Sequence, residues 1–372
     1  MTEVQTDKSL WKKFKQNKLA LAGLTIIVFI SLLAVLGYLI TPDDSPMANQ
    51  MNLQLNIEKP GSTFTILKIP KNPTPEKVNI ISKMLFGQAP QFEEIPLADY
   101  HFTAHQIVFH EYLGEGQKGE QHQVDLKKFN HLSVQEIKEN NIVQKTFWFG
   151  TDIYGRDLLS RIIIGSRVSL TVGFMAVLIS LFLGTSLGAI AGFYSGKVDA
   201  AISWLMNVLW SLPALLLVIA ISFALGKGFW QVFIAVGLSM WVEVARLVRG
   251  QVISLKNAPF IEAAKSLGFS NSRIIYKHIL PNILGPILVV AASNFASAIL
   301  LEAGLSFLGF GAQPPMPTWG GMIKEHYGYI IIDAAYLAII PGLMIMLMVY
   351  AFNLVTVCLR DIFDVKSQNT NV

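Results

Sequence analysis

Charge is what this sequence has least of. Asp, Glu, Lys and Arg make up 15% of its 372 residues, whereas 52% are hydrophobic. A soluble domain has about a quarter of its residues charged, so an ordinary water-exposed fold is excluded, and the mean hydropathy of +0.48 agrees. Cysteine occurs once, as Cys358, which excludes an intrachain disulfide and says little about compartment. Phosphate-cradling and hydrolytic motifs are missing as well. There is no G-x-x-x-x-G-K-[ST] loop, and GEGQKGE at 114–120 lacks both the final spacing and the hydroxyl residue. Neither a strand–turn–helix nucleophile elbow nor an H-E-x-x-H zinc motif is seen. A membrane enzyme therefore has no support, and no catalytic residue, metal site or bound cofactor is expected in this chain.

The apolar residues are gathered into runs long enough to span a bilayer, about twenty residues each. Leu19–Thr41, Val168–Tyr194, Ala200–Leu225, Ile279–Leu301 and Ala334–Leu359 contain no charged side chain, and Gly228–Val248 is interrupted by Glu243 and Arg246. Six transmembrane helices are expected. The first run follows Lys8, Lys12, Lys13, Lys15 and Lys18, like the start of a signal peptide. It exceeds the usual apolar core of about 7–15 residues and no A-x-A cleavage pattern follows, so a retained anchor is expected.

Short cytoplasmic loops are enriched in Lys and Arg. The lysines before the first run place residues 1–18 inside. Alternation then puts residues 42–167 outside, Ser195–Asp199 inside, residues 226–228 outside and the loop after the fourth run inside. That loop carries Arg246, Arg249, Lys256, Lys265, Arg273 and Lys277, in agreement. Gly309–Asp333 is then external and the tail at 360–372 internal. Arg156, Arg161 and Arg167 disagree, lying on the expected outer side; long translocated segments largely escape the charge rule.

Residues 42–149 form the extracytoplasmic insertion. It is polar, with prolines at 60, 70, 73, 75, 90 and 96 and alternating stretches such as STFTILKIP and QIVFHEY, which read as strands joined by turns. His101 and His105 have helical metal-ligand spacing with His110 nearby, but their surroundings read as strand and turn, and scattered surface histidines are expected. Residues 150–167 follow as an amphipathic helix. Leu158, Leu159, Ile162 and Ile163 form its apolar face, and Arg156, Asp157, Ser160 and Arg161 its polar face, with Asp157 and Arg161 an i,i+4 pair. Such a helix lies in the membrane interface or on the solvated surface. Pro213 is expected to kink the third run. Glu302, after an uncharged run, either lines the pathway, binds a basic partner in a companion subunit, or marks the end of the fifth span. Glu243 and Arg246 are expected to pair locally. Trp319, in the external QPPMPTW loop, is a further pathway or gating candidate.

Between the fourth and fifth runs stands IEAAKSLGFSNSRIIYKHILPN, residues 261–282. Pro259 is placed to start a helix, Phe260, Ala263, Ala264 and Leu267 form an i, i+3, i+4, i+7 stripe, and Gly268 closes it. A second short helix begins at Ser270 or Ser272 and reaches Leu280, where Pro281 changes its direction. Periodicity leaves two readings open: a plug for another protein, or a loop helix lying on the membrane surface.

Glu262-Ala263-Ala264, three residues, Gly268, then Leu280-Pro281 resembles the EAA loop of ABC importer permeases; His278 stands at the family's isoleucine place, with Ile279 beside it. GTDIYGRDLLSRIIIGSRVSL and ILLEAGLSFLGFGAQPPMPTWGGMI are similar to stretches of the dipeptide/oligopeptide/nickel branch, in its C-type subunit. The resemblance covers 5–41 loosely and 147–365 well, and omits most of 43–146. It implies an all-α polytopic permease with a strand-rich extracytoplasmic insertion between helices 1 and 2, a core over 168–359, and a coupling loop at 249–281. Glu262, Ala263, Ala264, Gly268, Leu280 and Pro281 match the element that docks on an ATPase. Implied partners are a second permease subunit, two cytoplasmic ATPases that use ATP, an extracytoplasmic binding protein and the lipid bilayer of a bacterial cytoplasmic membrane, with no nucleic acid. Transport is then alternating access driven by domain closure. A membrane-anchored receptor expects an effector domain after the sixth run, where residues 360–372 remain. A secondary transporter expects inverted repeats and several buried ionisable residues.

Overall fold

The computed structural model describes residues 8–114, 117–130, 132–226 and 228–368. Residues 1–7 of the basic N-terminus, 115–116 of GEGQKGE and 369–372 of the tail lie outside the described residues. In chain order come α1 (Lys8–Gln16), α2 (Lys18–Ile40), β1 (Ser62–Pro70), α3 (Ile80–Phe86), β2 (Phe92–Phe102), β3 (Gln106–Tyr112), β4 (Lys118–Asp125), α4 (Val134–Asn140) and β5 (Ile142–Phe147). The rest is helical: α5 (Leu158–Tyr194), α6 (Gly196–Trp210), α7 (Ala214–Leu225), α8 (Phe229–Leu255), α9 (Pro259–Ser266), α10 (Asn271–Ile274), α11 (Leu284–Leu308), α12 (Trp319–His326) and α13 (Tyr336–Gln368). Among the described residues five helical stretches are long and apolar enough to cross a membrane, or six if α6 and α7 count as one broken span. Two compact units result: a helical one from residues 8–31, 169–313 and 342–368, and a mixed one from 32–168 and 314–341.

The helical unit is built on α8, whose Val236, Val244, Ala245, Val248 and Val252 are buried. Without a hydrophobic drive between helices in lipid, small residues that let backbones approach decide which helices pair. On α5, Gly184, Gly188 and Gly192 recur every fourth residue and face α8. A Cβ on Gly188 would sit 2.5 Å from the Ala245 carbonyl oxygen, and one on Gly192 2.8 Å from that of Arg249. Helices α2 and α13 meet the same way, since a Cβ on Gly23 would lie 2.7 Å from the Ala351 carbonyl oxygen. At the start of α2 the Asn17 side chain accepts from the amides of Leu19 and Ala20, both at 3.1 Å, satisfying donors the helix leaves open.

The mixed unit holds a five-stranded antiparallel sheet in the order β4-β3-β2-β1-β5. STFTILKIP is β1 and QIVFHEY is β3. Alternation sends successive side chains to opposite faces. Leu67 and Ile69 join Leu97, Ile107, Phe109, Phe129 and Ile137 in one apolar cluster, while Ile66 joins Leu55 and Phe147 in another. Both clusters belong to the insertion, which thus has its own core. His101 lies on β2 and His105 in the turn after it, both exposed. His110 Nδ1 is 2.7 Å from Asp99 Oδ1 and Lys118 Nζ is 2.5 Å from Asp99 Oδ2. Hydrogen bonds from Lys118 and then His110 hold the Asp99 carboxyl down at about 2.

Three expectations need correction. The stretch 150–167 is no separate interfacial helix: residues 150–157 form a turn, and α5 begins at Leu158 and runs unbroken to Tyr194. Its expected polar face is buried, with Arg156, Asp157, Ser160 and Arg161 each 3% exposed or less. The third run is broken rather than kinked. Pro213 adopts extended backbone (φ −57°, ψ 127°), having no N–H to continue the helix, and α6 and α7 meet at 98°. At about 1.5 Å rise per residue neither half alone crosses a hydrocarbon core of about 30 Å. Finally, the change of direction expected at Pro281 does not break the helix. Ile275–Ile279 form a wide π turn and Leu280–Ile283 a tight 3₁₀ turn, so Asn271–Leu308 remains one helical stretch. Single π turns inside α-helices are rare and often mark functional sites.

Candidate functional site

The structure joins Glu262, Ala263, Ala264, Gly268, Leu280 and Pro281 in one compact element of the helical unit. Helix α9 starts with Pro259 at its first position, where a missing N–H costs nothing. It closes in a Schellman turn: the Phe269 amide donates to the Ala264 carbonyl (3.2 Å) and the Gly268 amide to that of Lys265 (2.9 Å). Gly268 has φ +77°, the left-handed conformation that glycine adopts without strain. Gly268→Val is therefore expected to destabilise this turn by about 1–2 kcal/mol, read as faster proteolysis between α9 and α10 while the spans stay protected.

The expected stripe is divided. Ala264 faces inward with Ile261, packing with Ile274, Ile275 and Ile279 and with Val248 and Val252 of α8. Phe260, Ala263 and Leu267 are exposed, Leu267 at 73%, as are Glu262 and Tyr276. One side thus fastens the element to its own chain, and the other presents apolar groups beside a carboxylate. Ile279 is fully buried, while His278 stacks on Phe269 with ring centroids 5.7 Å apart. The isoleucine of the family pattern is displaced by one position within the π turn. The Arg273 guanidinium also lies over the Phe269 ring, 4.1 Å from its centroid.

The same end of α8 is tied to the α5–α6 turn. Arg249 donates from Nε and Nη2 to the two Asp199 carboxylate oxygens at 2.5 and 2.6 Å, a bidentate geometry that fixes orientation. Lys256 Nζ donates to Ser195 Oγ at 2.6 Å. The expected Glu243–Arg246 pair does not form. Arg246 instead donates to Asn207 Oδ1 at 2.9 Å and lies 4.3 Å over the Trp210 ring, while Glu243 is exposed on α8.

Glu302 lies inside α11, not at the end of a span, because the helix continues to Leu308. It is 1% exposed and accepts hydrogen bonds from Ser169 Oγ (3.0 Å) and Ser306 Oγ (2.7 Å). Hydroxyl donors of this kind make a carboxyl tolerable at membrane depth. Two turns earlier on α11, Asn294 is equally buried, and its side chain has no hydrogen-bond partner among the described residues. Pro213 is exposed at the start of α7.

Trp319 belongs to the mixed unit and is fully buried; its indole N–H donates to the Ile162 carbonyl at 3.1 Å. It packs the start of α12 against α5. Beside it lies a buried ionic group. Arg156 Nε is 2.6 Å from Asp152 Oδ2 and Arg156 Nη2 is 3.0 Å from Glu325 Oε2. Arg161, expected to pair with Asp157, reaches the same two acids at 3.4 and 3.6 Å. Asp157 instead accepts from the Ser160 amide at 2.8 Å and from its hydroxyl; burial raises its carboxyl above the ordinary carboxylate range. Asp152, Glu325 and His326 offer atoms within 4.8 Å of one another, a spacing suited to a cation, but the two guanidinium groups already neutralise both carboxylates.

Burial lowers the His326 imidazole below its ordinary 6.5, and its Nδ1 is 2.7 Å from the Met322 carbonyl oxygen. The folded state disfavours the protonated ring, so the unfolded chain binds more protons around and below 6.5. Its contribution to stability is complete above that value and is lost as pH falls. Melting in detergent is expected to drop between about pH 7 and about pH 5, and less steeply in His326→Gln.

Sequence reading missed the glycine ladder on α5, although G-x-x-x-G-x-x-x-G is written plainly at 184–192. Ser186 between the first two glycines gives the letters G-x-S-x-G, yet on a continuous helix these glycines serve packing.

A family model described as the inner membrane component of binding-protein-dependent transport systems matches residues 184–368. A second, the N-terminal transmembrane domain of oligopeptide transport permease C, matches residues 8–59. Most of the insertion falls between them. The dipeptide transport permease DppC of Alkalihalophilus pseudofirmus is 46% identical over 60% of this chain and 73% of its own. The glutathione transport permease GsiD of Pectobacterium atrosepticum is 43% identical over 59% and 72%. The oligopeptide transport permease OppC of Haemophilus influenzae is 41% identical over 59% and 71%. A chain of the MetNI methionine ABC transporter, inward facing, aligns over 55% of this chain and 97% of its own at a TM-score of 0.46 and 16% identity. With relatives this similar covering over two thirds of their own length, the chain belongs to the binding-protein-dependent transport system inner membrane component family, as a C-type membrane permease of the peptide branch of ABC importers.

Proposed function

We propose that this permease carries peptides or peptide-like solutes inward across a bacterial cytoplasmic membrane, paired with a second permease subunit. Two cytoplasmic ATPases power it and an extracytoplasmic binding protein supplies it. The observation that carries the coupling is the divided face of α9: Ile261 and Ala264 lock it to the chain, while Phe260, Ala263 and Leu267 stand uncovered around Glu262. Exposed apolar groups on a rigid, charged, short helix suit a cleft on another protein. The anchoring of α9 on α8, and of α8 on the α5–α6 turn, lets a push on the loop move helices as bodies.

The proposed topology puts both termini and the 249–281 loop in the cytoplasm and residues 42–149 outside, with α6 and α7 forming one broken crossing. The arginines that contradicted the charge rule support this arrangement once their partners are counted. Arg156 and Arg161 are neutralised by Asp152 and Glu325, and Arg167 donates to the Met84 carbonyl at 2.7 Å. None is a free loop charge. Peptides are favoured as substrate because the relatives are named for dipeptide, oligopeptide and glutathione transport. The proposed roles leave this chain no catalysis of its own and no cofactor, with ATP handled by the partners.

Co-expression with candidate genes for a second permease, ATPase subunits and a binding protein tests the assignment. A tag on this chain is expected to recover a second permease and ATPase subunits, and vesicles holding the complex are expected to take up peptide only with ATP and the binding protein. Uptake with no ATPase present would overturn it.

A further inference from the structure

Helix α3 in the insertion is short and apolar, and its apolar residues point away from the protein. Ile80 is 74% exposed, Ile81 66%, Leu85 43% and Phe86 70%, with Val78 just before them at 42%. Positions 80, 81 and 85 share one helical face, and Phe86, the last residue of the helix, is exposed next to it. A folded water-soluble surface does not leave so many large apolar groups together without something to cover them.

The position of α3 identifies the cover. Its C-terminal end is fixed to the segment that leaves α2: the Gln88 amide donates to the Asp44 carbonyl at 2.8 Å, and Lys83 Nζ lies 2.6 Å from Asp44 Oδ2. A Cβ on Gly87 would lie 3.1 Å from the Tyr38 ring, so the backbone here runs against the last turn of α2. Arg167 of α5 holds the Met84 carbonyl at 2.7 Å. Within the same unit the end of α2 itself exposes Val35, Leu36, Leu39 and Ile40, side chains that only hydrocarbon solvates well. The apolar face of α3 is thus held beside the membrane edge, with Lys77 and Lys83 flanking it as amphipathic interfacial segments require.

We propose that α3 is a membrane-surface anchor: Ile80, Ile81, Leu85 and Phe86 insert among lipid acyl chains where α2 leaves the bilayer, tethering the insertion to the membrane. The anchor ties the insertion to the membrane surface, and it does not depend on which solute is carried.

Spin labels test it in the full-length chain with Cys358→Ser, reconstituted in vesicles of phosphatidylcholine and phosphatidylglycerol. Single cysteines go in as Ile81→Cys and Phe86→Cys, with Leu39→Cys as the lipid reference and Leu113→Cys, 52% exposed in the β3–β4 loop, as the water reference. Collisions with dissolved oxygen, relative to a water-soluble nickel chelate, are expected to be several-fold higher at 81 and 86 than at 113 and close to those at 39. A ratio like that of position 113, or protection from both reagents as under a protein cover, overturns the anchor. An aqueous reading at position 39 as well would strike the span assignment of α2 instead.

Discussion

Glu262→Arg is expected to strip the ATPase subunits from the complex and abolish ATP-driven uptake, while the chain still folds and inserts. Glu262 is exposed on the outward side of α9, so reversing its charge disturbs little inside the chain. It also lies in the first helical turn, where a cation opposes the helix dipole by about 0.3–1 kcal/mol, too little to unfold an element fastened by Ile261 and Ala264. At a docked surface, loss of a paired charge costs about 2–5 kcal/mol, roughly 30-fold in affinity or more. Glu262→Gln is expected to fall between the two. Retention of the ATPases by the arginine variant, measured by pull-down against an unchanged melting curve, would count against docking through this face.

The second large effect concerns the fold. Gly188→Leu is expected to prevent stable packing of α5 on α8 and to lower the yield of folded protein sharply. A Cβ at this position meets the Ala245 carbonyl oxygen at 2.5 Å and the Ala245 Cα at 3.0 Å; both are backbone atoms, which cannot rotate away. Overpacking a well-filled interior costs about 1–3 kcal/mol, and more where no side chain can yield. Gly250→Ala is the contrast, because a Cβ there meets nothing within 4 Å. Replacing a mid-helix glycine with alanine is then expected to be neutral or stabilising by up to about 1 kcal/mol. Melting of both variants in detergent checks the pair; equal tolerance would show that the ladder is not a packing surface.

What was legible in the sequence follows the range of the signal. The strands β1 and β3 were legible because period-two alternation is local, as were the start of α9 at Pro259 and its end at Gly268, where one residue's backbone preference decides. The uncharged runs marked the long helices for the same reason. Contacts between distant segments were not legible. The polar face of 150–167 looked solvated because its partner Glu325 lies far along the chain, and Arg161 chose that carboxylate and Asp152 over the nearer Asp157. For Glu302 the sequence left an end-of-span charge and a pathway role both open, since nothing in the adjacent sequence reveals that Ser169 donates to it. Pro213 was readable as an irregularity but not as a 98° break, because bend size depends on what each half packs against. At the coupling loop the residues were legible as a motif, whereas the division of its stripe into an anchored and an open side needed α8 in place.

The central claim is that the outward side of α9 is held by a cytoplasmic ATPase. Site-directed cross-linking tests it most directly, with Leu267→Cys in a Cys358→Ser background and a cysteine-reactive cross-linker applied to membranes of cells producing the whole complex. The expected product is a covalent adduct with an ATPase subunit, formed at a rate that changes when ATP is added. Labelling of Leu267→Cys in intact cells by a reagent that cannot cross the membrane would place the loop outside and contradict the account.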